Sequence, residues 1–182
     1  RINLAGGTVE TIAGLAGVAG ASDGRGTAAR FTSPAGIAVE METSVQKLAR
    51  QQRGLPPPPV SVIVADTGNG LVRRVRETGE VETLRSTLSA SLMFSAPDGV
   101  AVDPAGTIYV SETESGRVRA ILRNGDVVGA AQASTFTSPR GVVAAQDGRV
   151  VVAAKDQSIR EIVYGLPRIT GIVPSRIDNK GA

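Results

Sequence analysis

The sequence predicts an all-β fold assembled from repeated four-stranded antiparallel sheets. Three observations carry this reading. The stretch Phe94–Val128 holds four short apolar runs separated by turn residues. Its opening, F-x-x-P-x-G before a small apolar strand, recurs at Phe31, Pro34, Gly36, at Phe94, Pro97, Gly99 and at Phe136, Pro139, Gly141. The interval from Phe94 to Phe136 falls within the ~40–45 residues of a four-stranded blade. Four antiparallel strands joined by tight turns form a meander, and one such sheet per repeat is the unit of a β-propeller. The expected architecture is a β-propeller segment of about three to four blades in an incomplete ring.

The most regular unit justifies each element. Gly99–Val102 is small and apolar, as an innermost strand requires. Asp103-Pro-Ala-Gly106 is a turn, because Asp bonds its own backbone, Pro presets φ and Gly allows positive φ. Thr107–Ser111 alternates β-branched and aromatic residues and reads as the second strand. Glu112–Gly116 is a polar loop. Arg117–Leu122 is the third strand, anchored by Val118 and Ile121. Asn124-Gly125 is a hairpin dipeptide that favours a type I′ turn. Asp126–Val128 begins the fourth strand.

The chain begins in mid-blade. A half-blade, 1–13, is a hairpin of Arg1–Leu4 and Thr8–Ile12 around Ala5-Gly6-Gly7. Gly14–Phe31 is too polar and glycine-rich for a strand and reads as an ordered connector. The first full blade spans 31–84. Its spacing to the next is stretched by an insertion, 40–59. There, Thr43 or Ser44 caps a short helix through Val45, Leu48 and Arg50, Gly54 ends it, and Pro56–Pro59 form polyproline II. The second blade is 94–128. The third, 136–163, shows no fourth strand. In the shared opening, Phe plugs the gap between blades, Pro ends the incoming connector, and Gly lets the backbone turn into the innermost strand.

Composition restricts the chemistry. The chain of 182 residues has no cysteine and no histidine, which removes thiolate nucleophiles, disulfides and Ser-His-Asp triads. It is 41% hydrophobic but only 3% aromatic, so the core must be Val, Ile, Leu and Ala. The formal net charge is +3 and the arginines form no dense run. That pattern reads as solvated strand edges rather than a nucleic-acid patch. No apolar run approaches the ~20 residues of a membrane span, and Arg1-Ile-Asn-Leu4 is no signal peptide.

These residues resemble the NHL-repeat family of β-propellers. The carrying segments are Val64-Ala-Asp-Thr-Gly-Asn-Gly-Leu-Val-Arg73 and Asp23-Gly-Arg-Gly-Thr-Ala-Ala-Arg-Phe31, leading into Pro34 and Gly36. The resemblance covers Arg1–Val163. Gly70 stands where the family often has His. The Asp66 position becomes Glu112 and then Ala154, while Arg73, Arg119 and Arg160 keep the family's arginine. These acidic and basic positions read as structural, pairing or capping turns within blades. The tail from Pro167, P-R-I-T-G-I-V-P-S, looks like the opening of an IPT/TIG immunoglobulin-like domain. The chain would then divide into a propeller segment, 1–165, and a linker with a first strand of the next domain, 166–182. That neighbour tilts the expected location toward the cell surface or exterior. The remaining blades are expected upstream in a longer chain, or from another copy.

The leading functional expectation is a non-catalytic protein-interaction or scaffolding module within a larger protein, with no catalytic residue, cofactor or metal. Its candidate docking element is the insertion, through Lys47, Arg50, Arg53 and Pro56, Pro57, Pro58 and Pro59, because a preformed proline stretch loses little entropy on binding. A metal-dependent lyase- or lactonase-like propeller enzyme is the alternative. Without histidine it would have to use carboxylates such as Asp66, Asp103 and Glu112. RNA binding, as in some similar propellers, would need a basic face with stacking aromatics, and only 3 Phe and 2 Tyr exist.

Overall fold

Among the described residues, the apolar runs of the repeats become strands, and the glycine turns between them reverse the chain. The computed structural model describes residues 2–3, 8–40, 42–86, 93–131 and 135–163. The strands are β1 (Ile2–Asn3), β2 (Thr8–Val9), β3 (Gly24–Arg25), β4 (Pro34–Glu40), β5 (Ser61–Asp66), β6 (Leu71–Arg76), β7 (Glu80–Thr83), β8 (Pro97–Val102), β9 (Ile108–Glu112), β10 (Arg117–Ile121), β11 (Val127–Ala131), β12 (Pro139–Ala144), β13 (Val150–Ala154) and β14 (Ile159–Ile162), with one helix, α1 (Ser44–Gln52).

The sheets are antiparallel meanders of propeller-blade type. The first has the order β3-β7-β6-β5-β4, the second β11-β10-β9-β8, the third β12-β13-β14, and β1 pairs with β2. The described strands do not close a ring. The N-terminal strands pair as a hairpin, with Ile2 opposite Val9. The stretch read as a pure connector does more. Gly24–Arg25 pairs with β7, adding a fifth strand to the outer edge of the first blade. The tail read as the start of an immunoglobulin-like domain lies outside the described residues.

Side chains on a strand alternate between faces, and here the two faces serve two interfaces. From β5 and β6, Ile63, Ala65 and Val72 pack with Phe94, Val100, Ile108, Val110 and Ile121 of the second blade. Val64 and Val75 turn the other way, onto Ala29 and Val81. Between the second and third blades, Tyr109, Val118 and Ala120 pack with Phe136, Val142, Val150 and Val152. Each fully buried Val or Ile contributes about 1.5–3 kcal/mol.

The innermost strands lie side by side, with β8 between β4 and β12. This gives the repeated glycine a different reason from the expected one. Gly36, Gly99 and Gly141 do not have positive φ; in these segments the left-handed residues are Ser33, Ala96 and Ser138. A Cβ on Gly36 would sit 2.2 Å from the Asp98 carbonyl oxygen, and one on Gly99 2.0 Å from that of Arg140. Glycine is there so that neighbouring backbones can approach. At Gly141, which lacks such a neighbour among the described residues, the nearest atom is the Ala153 Cβ at 3.6 Å.

The hairpin at Asn124-Gly125 also departs from expectation. Leu122 N–H donates to Asp126 O, Gly125 N–H donates to Leu122 O, and only Gly125 has positive φ, +86°. It is a three-residue loop with a left-handed glycine rather than a type I′ turn. Asp103–Thr107 and Ala145–Arg149 close in the same way.

Candidate functional site

The insertion is built by its own local code. Thr43 N-caps α1: its hydroxyl accepts from Gln46 N–H at 3.3 Å, and the Gln46 side chain accepts from Thr43 N–H at 3.0 Å. Gly54, with positive φ, ends the helix, and Leu55 N–H returns to the Arg50 carbonyl at 3.1 Å. The Arg50 side chain clasps both ends, donating to Glu42 at 3.0 Å and to the Leu55 carbonyl at 2.9 Å. Glu40 belongs to β4 rather than to the insertion. Arg123, from the second blade's β10–β11 loop, donates to the Thr43 hydroxyl at 3.3 Å. One end of the inserted segment is therefore tied to the neighbouring blade.

Beneath the insertion lies a cleft of about 870 Å³. Pro56, Pro58 and Pro59 line it on the insertion side, and Leu84, Ile108, Ile121 and Leu122 contribute aliphatic surface from the two blades. It opens where the interblade face of the first sheet changes character. Along β6, Val72 lies in the apolar interface, whereas Arg74 and Arg76, on the same face, line the cleft. Arg74 sits opposite Ile63 and Glu82. The corresponding second-blade position, opposite Tyr109 and Val128, is Ala120. The first blade has thus placed a charged pair where the second keeps an apolar one.

The charges are partly organised. Arg74 bonds Glu40 at 2.7 and 2.8 Å and Glu82 at 2.7 Å, and Arg76 bonds Glu82 at 3.1 Å. Burial lowers the Arg74 guanidinium, but its bonds to Glu40 and Glu82 outweigh this and raise it above the usual value. The bond from Arg74 holds the Glu82 carboxyl below its usual range, against partial burial. Arg85 and Arg123 are exposed, and among the described residues neither meets a carboxylate. Among the described residues, five arginines (50, 74, 76, 85 and 123) line the cleft against three glutamates (40, 42 and 82).

The sequence-predicted docking residues divide. Pro56, Pro58, Pro59 and Arg50 line the cleft, Arg50 already engaged with Glu42. Lys47, Arg53 and Pro57 are exposed outside it. Arg74, Arg76, Glu82, Arg85 and Arg123 were not anticipated. The available signal was the substitution of Arg74 for Ala120 when blades are compared in register.

The repeated acidic, basic and aromatic positions form a clamp in the first two blades. Asp66 and Arg73, both fully buried, pair at 2.8 Å. Asp66 also accepts from Thr32 N–H and the Asn69 amide, each at 2.7 Å. Arg73 reaches Asp23 at 2.8 Å and the Arg30 carbonyl at 3.0 Å, and lies over the Phe31 ring at 5.1 Å. Burial raises the Asp23 carboxyl, but bonds from Thr83 and Arg73 outweigh this and hold it below its usual range. In the second blade Glu112 pairs with Arg119 at 2.5 Å and accepts from Ser95 N–H, while Arg119 bonds the Met93 carbonyl and stacks on Phe94 at 4.1 Å. In the third blade Ala154 supplies no carboxylate. Arg160 turns to the exposed Asp156, keeping the Thr135 carbonyl and the Phe136 ring at 5.8 Å. Arginine stacking on the repeat phenylalanine adds a second role to a residue expected to fill only a gap.

The three carboxylates weighed for a metal do not converge. Asp66 and Glu112 end the second strands of their blades, whereas Asp103 follows a first strand, so they lie toward opposite rims. Asp103 accepts from Thr107 N–H and from the Tyr109 hydroxyl. Among the described residues no three or more Asp, Glu, His or Cys are grouped as a metal site. Nor, among them, is any helix long and apolar enough to cross a membrane.

The NHL repeat family profile matches residues 94–128. No curated protein matches the chain. Among solved structures, the chain is similar to a candidate gluconolactonase at 16% identity and TM-score 0.50, over 59% of this chain and 42% of that one. It is also similar to a gluconolactonase from Xanthomonas campestris (19% identity, TM-score 0.47, 68% of this chain and 35% of that one). A third is virginiamycin B lyase from Staphylococcus aureus (12% identity, TM-score 0.42, 75% and 43%). The chain spans less than half the length of each. The likeness to the first is a likeness of fold.

Proposed function

We propose that this chain is part of a non-catalytic protein-interaction propeller that docks a partner in the rim cleft roofed by the insertion. The carrying observation is the change of the interblade face at Arg74 and Glu82 from apolar to charged. A side chain that breaks the local packing rule of its own repeat marks a functional position. The repeat's buried carboxylates support the same reading, since Asp66 and Glu112 are engaged by Arg73 and Arg119. The test replaces residues 42–58 by a short Gly-Ser turn, sparing Glu40 and its bonds to Arg74. Partner capture from native extract should be lost with retained β circular dichroism. Undiminished capture removes the cleft from consideration.

The alternative is an enzymatic propeller, since two of the similar solved structures are named as gluconolactonases and one as a lyase. A calcium titration separates it. A saturable rise in melting temperature abolished by Asp66→Asn or Glu112→Gln would favour the enzyme.

A further inference from the structure

We infer that the occupant of the cleft is an extended peptide segment in which acidic residues alternate with aliphatic ones. This rests on the docking reading above and specifies its partner. The cleft combines two surfaces: the aliphatic side chains and prolines already described, and arginines in excess of glutamates. Arg85, just beyond β7 of the first blade, and Arg123, from the second blade's β10–β11 loop, carry the charge that no described carboxylate answers. Rim arginines that no carboxylate neutralises attract carboxylates and set the sign of the ligand. Glu40 and Glu82 hold Arg74 and Arg76 in fixed geometry. They would also repel a uniformly dense polyanion, which selects spaced carboxylates over a phosphate chain. Among the described residues no aromatic side chain lines the cleft, so they form no stacking platform of the kind single-stranded nucleic acid uses. A proline wall facing an aliphatic floor accepts the apolar side chains of an extended segment.

The experiment measures fluorescence anisotropy of the intact chain with a labelled octapeptide, Gly-Asp-Leu-Glu-Val-Asp-Leu-Gly. A second peptide carries Lys at each acidic position, and a third carries Ser at each aliphatic one. The acidic peptide should bind saturably, the lysine peptide should not, and the serine peptide should bind more weakly. The double variant R85E/R123E, altered only at exposed side chains, should lose roughly tenfold or more in affinity and gain affinity for the lysine peptide. Raising salt should weaken acidic-peptide binding. Equal binding of acidic and lysine peptides, or an acidic-peptide affinity unmoved by R85E/R123E, overturns the inference. So does stronger binding of a single-stranded RNA oligonucleotide, which assigns the charge to nucleic acid. If capture still depends on residues 42–58 while the acidic peptide fails, the docking site stands and the acidic occupant falls.

Discussion

Replacing the three repeat arginines one at a time with methionine should give a graded loss of stability. Methionine keeps a flexible apolar side chain against the phenylalanine ring and removes the charge. In Arg73→Met the Asp66 carboxylate stays fully buried, retaining only the Thr32 and Asn69 donors, and Asp23 loses the arginine while keeping the Thr83 hydroxyl. Breaking a buried pair by removing one partner costs about 3–5 kcal/mol. For a chain of this size that lowers the melting midpoint by about 6–20 °C. In Arg119→Met the stranded Glu112 is nearly as buried, but Arg119 itself is 22% exposed and Ser95 and Ser115 still donate to the carboxylate. Loss of charged hydrogen bonds of this kind costs about 1.5–3 kcal/mol. Arg160→Met removes an arginine 43% exposed, paired with an exposed aspartate, and should move the midpoint by no more than ~4 °C. Differential scanning calorimetry at pH 7 with urea titration reads all three. An Arg160→Met loss as large as that of Arg73→Met would refute the argument that burial of the carboxylate sets the cost.

The same contrast applies to glycine. Gly99→Ala should destabilise by about 1–3 kcal/mol through collision with the Arg140 carbonyl, whereas Gly141→Ala should stay within about 0.5 kcal/mol; urea midpoints decide. Thr43→Ala removes the cap of α1 and the acceptor for Arg123. It should cost the helix about 1 kcal/mol, read as faster hydrogen exchange over 44–52 with little change in the blades. Glu82→Gln tests the cleft network by pH. Because the folded Glu82 carboxyl titrates below the usual glutamate value of 4.5, its contribution is present above that pH and is lost as pH falls through the lower folded value. The stability gap between the native chain and Glu82→Gln should be open at pH 7 and shrink below about pH 4.5. A gap that widens on acidification reverses the sign and rejects the assignment.

Much of the blade was readable because its determinants are local. Alternation of β-branched residues, Asp-Pro-Ala-Gly106 and Asn124-Gly125 specify strands and reversals within a few residues. The clamp was half readable. Asp66 and Arg73 recur at fixed spacing, but the arginine's seat on the phenylalanine ring depends on a connector returning from the preceding residues. The turn at Asn124 was misassigned because Asn-Gly permits more than one left-handed pattern, and strand register selected the three-residue loop.

By itself the sequence determined the all-β meander, the repeat, the capped helix followed by prolines, and the lost carboxylate at Ala154. These rest on local propensity and on comparing copies in register. Only the tertiary structure decided why Gly36 and Gly99 must be glycine, since the atoms they would strike belong to the next blade. The basic cluster was likewise decided there. No stretch of the chain is densely basic, yet Arg50, Arg74, Arg76, Arg85 and Arg123 come from an insertion, a strand, a strand exit and a neighbouring hairpin. Stacking one sheet on the next brings together charges that lie far apart along the chain, and that juxtaposition is what gives the cleft its chemistry.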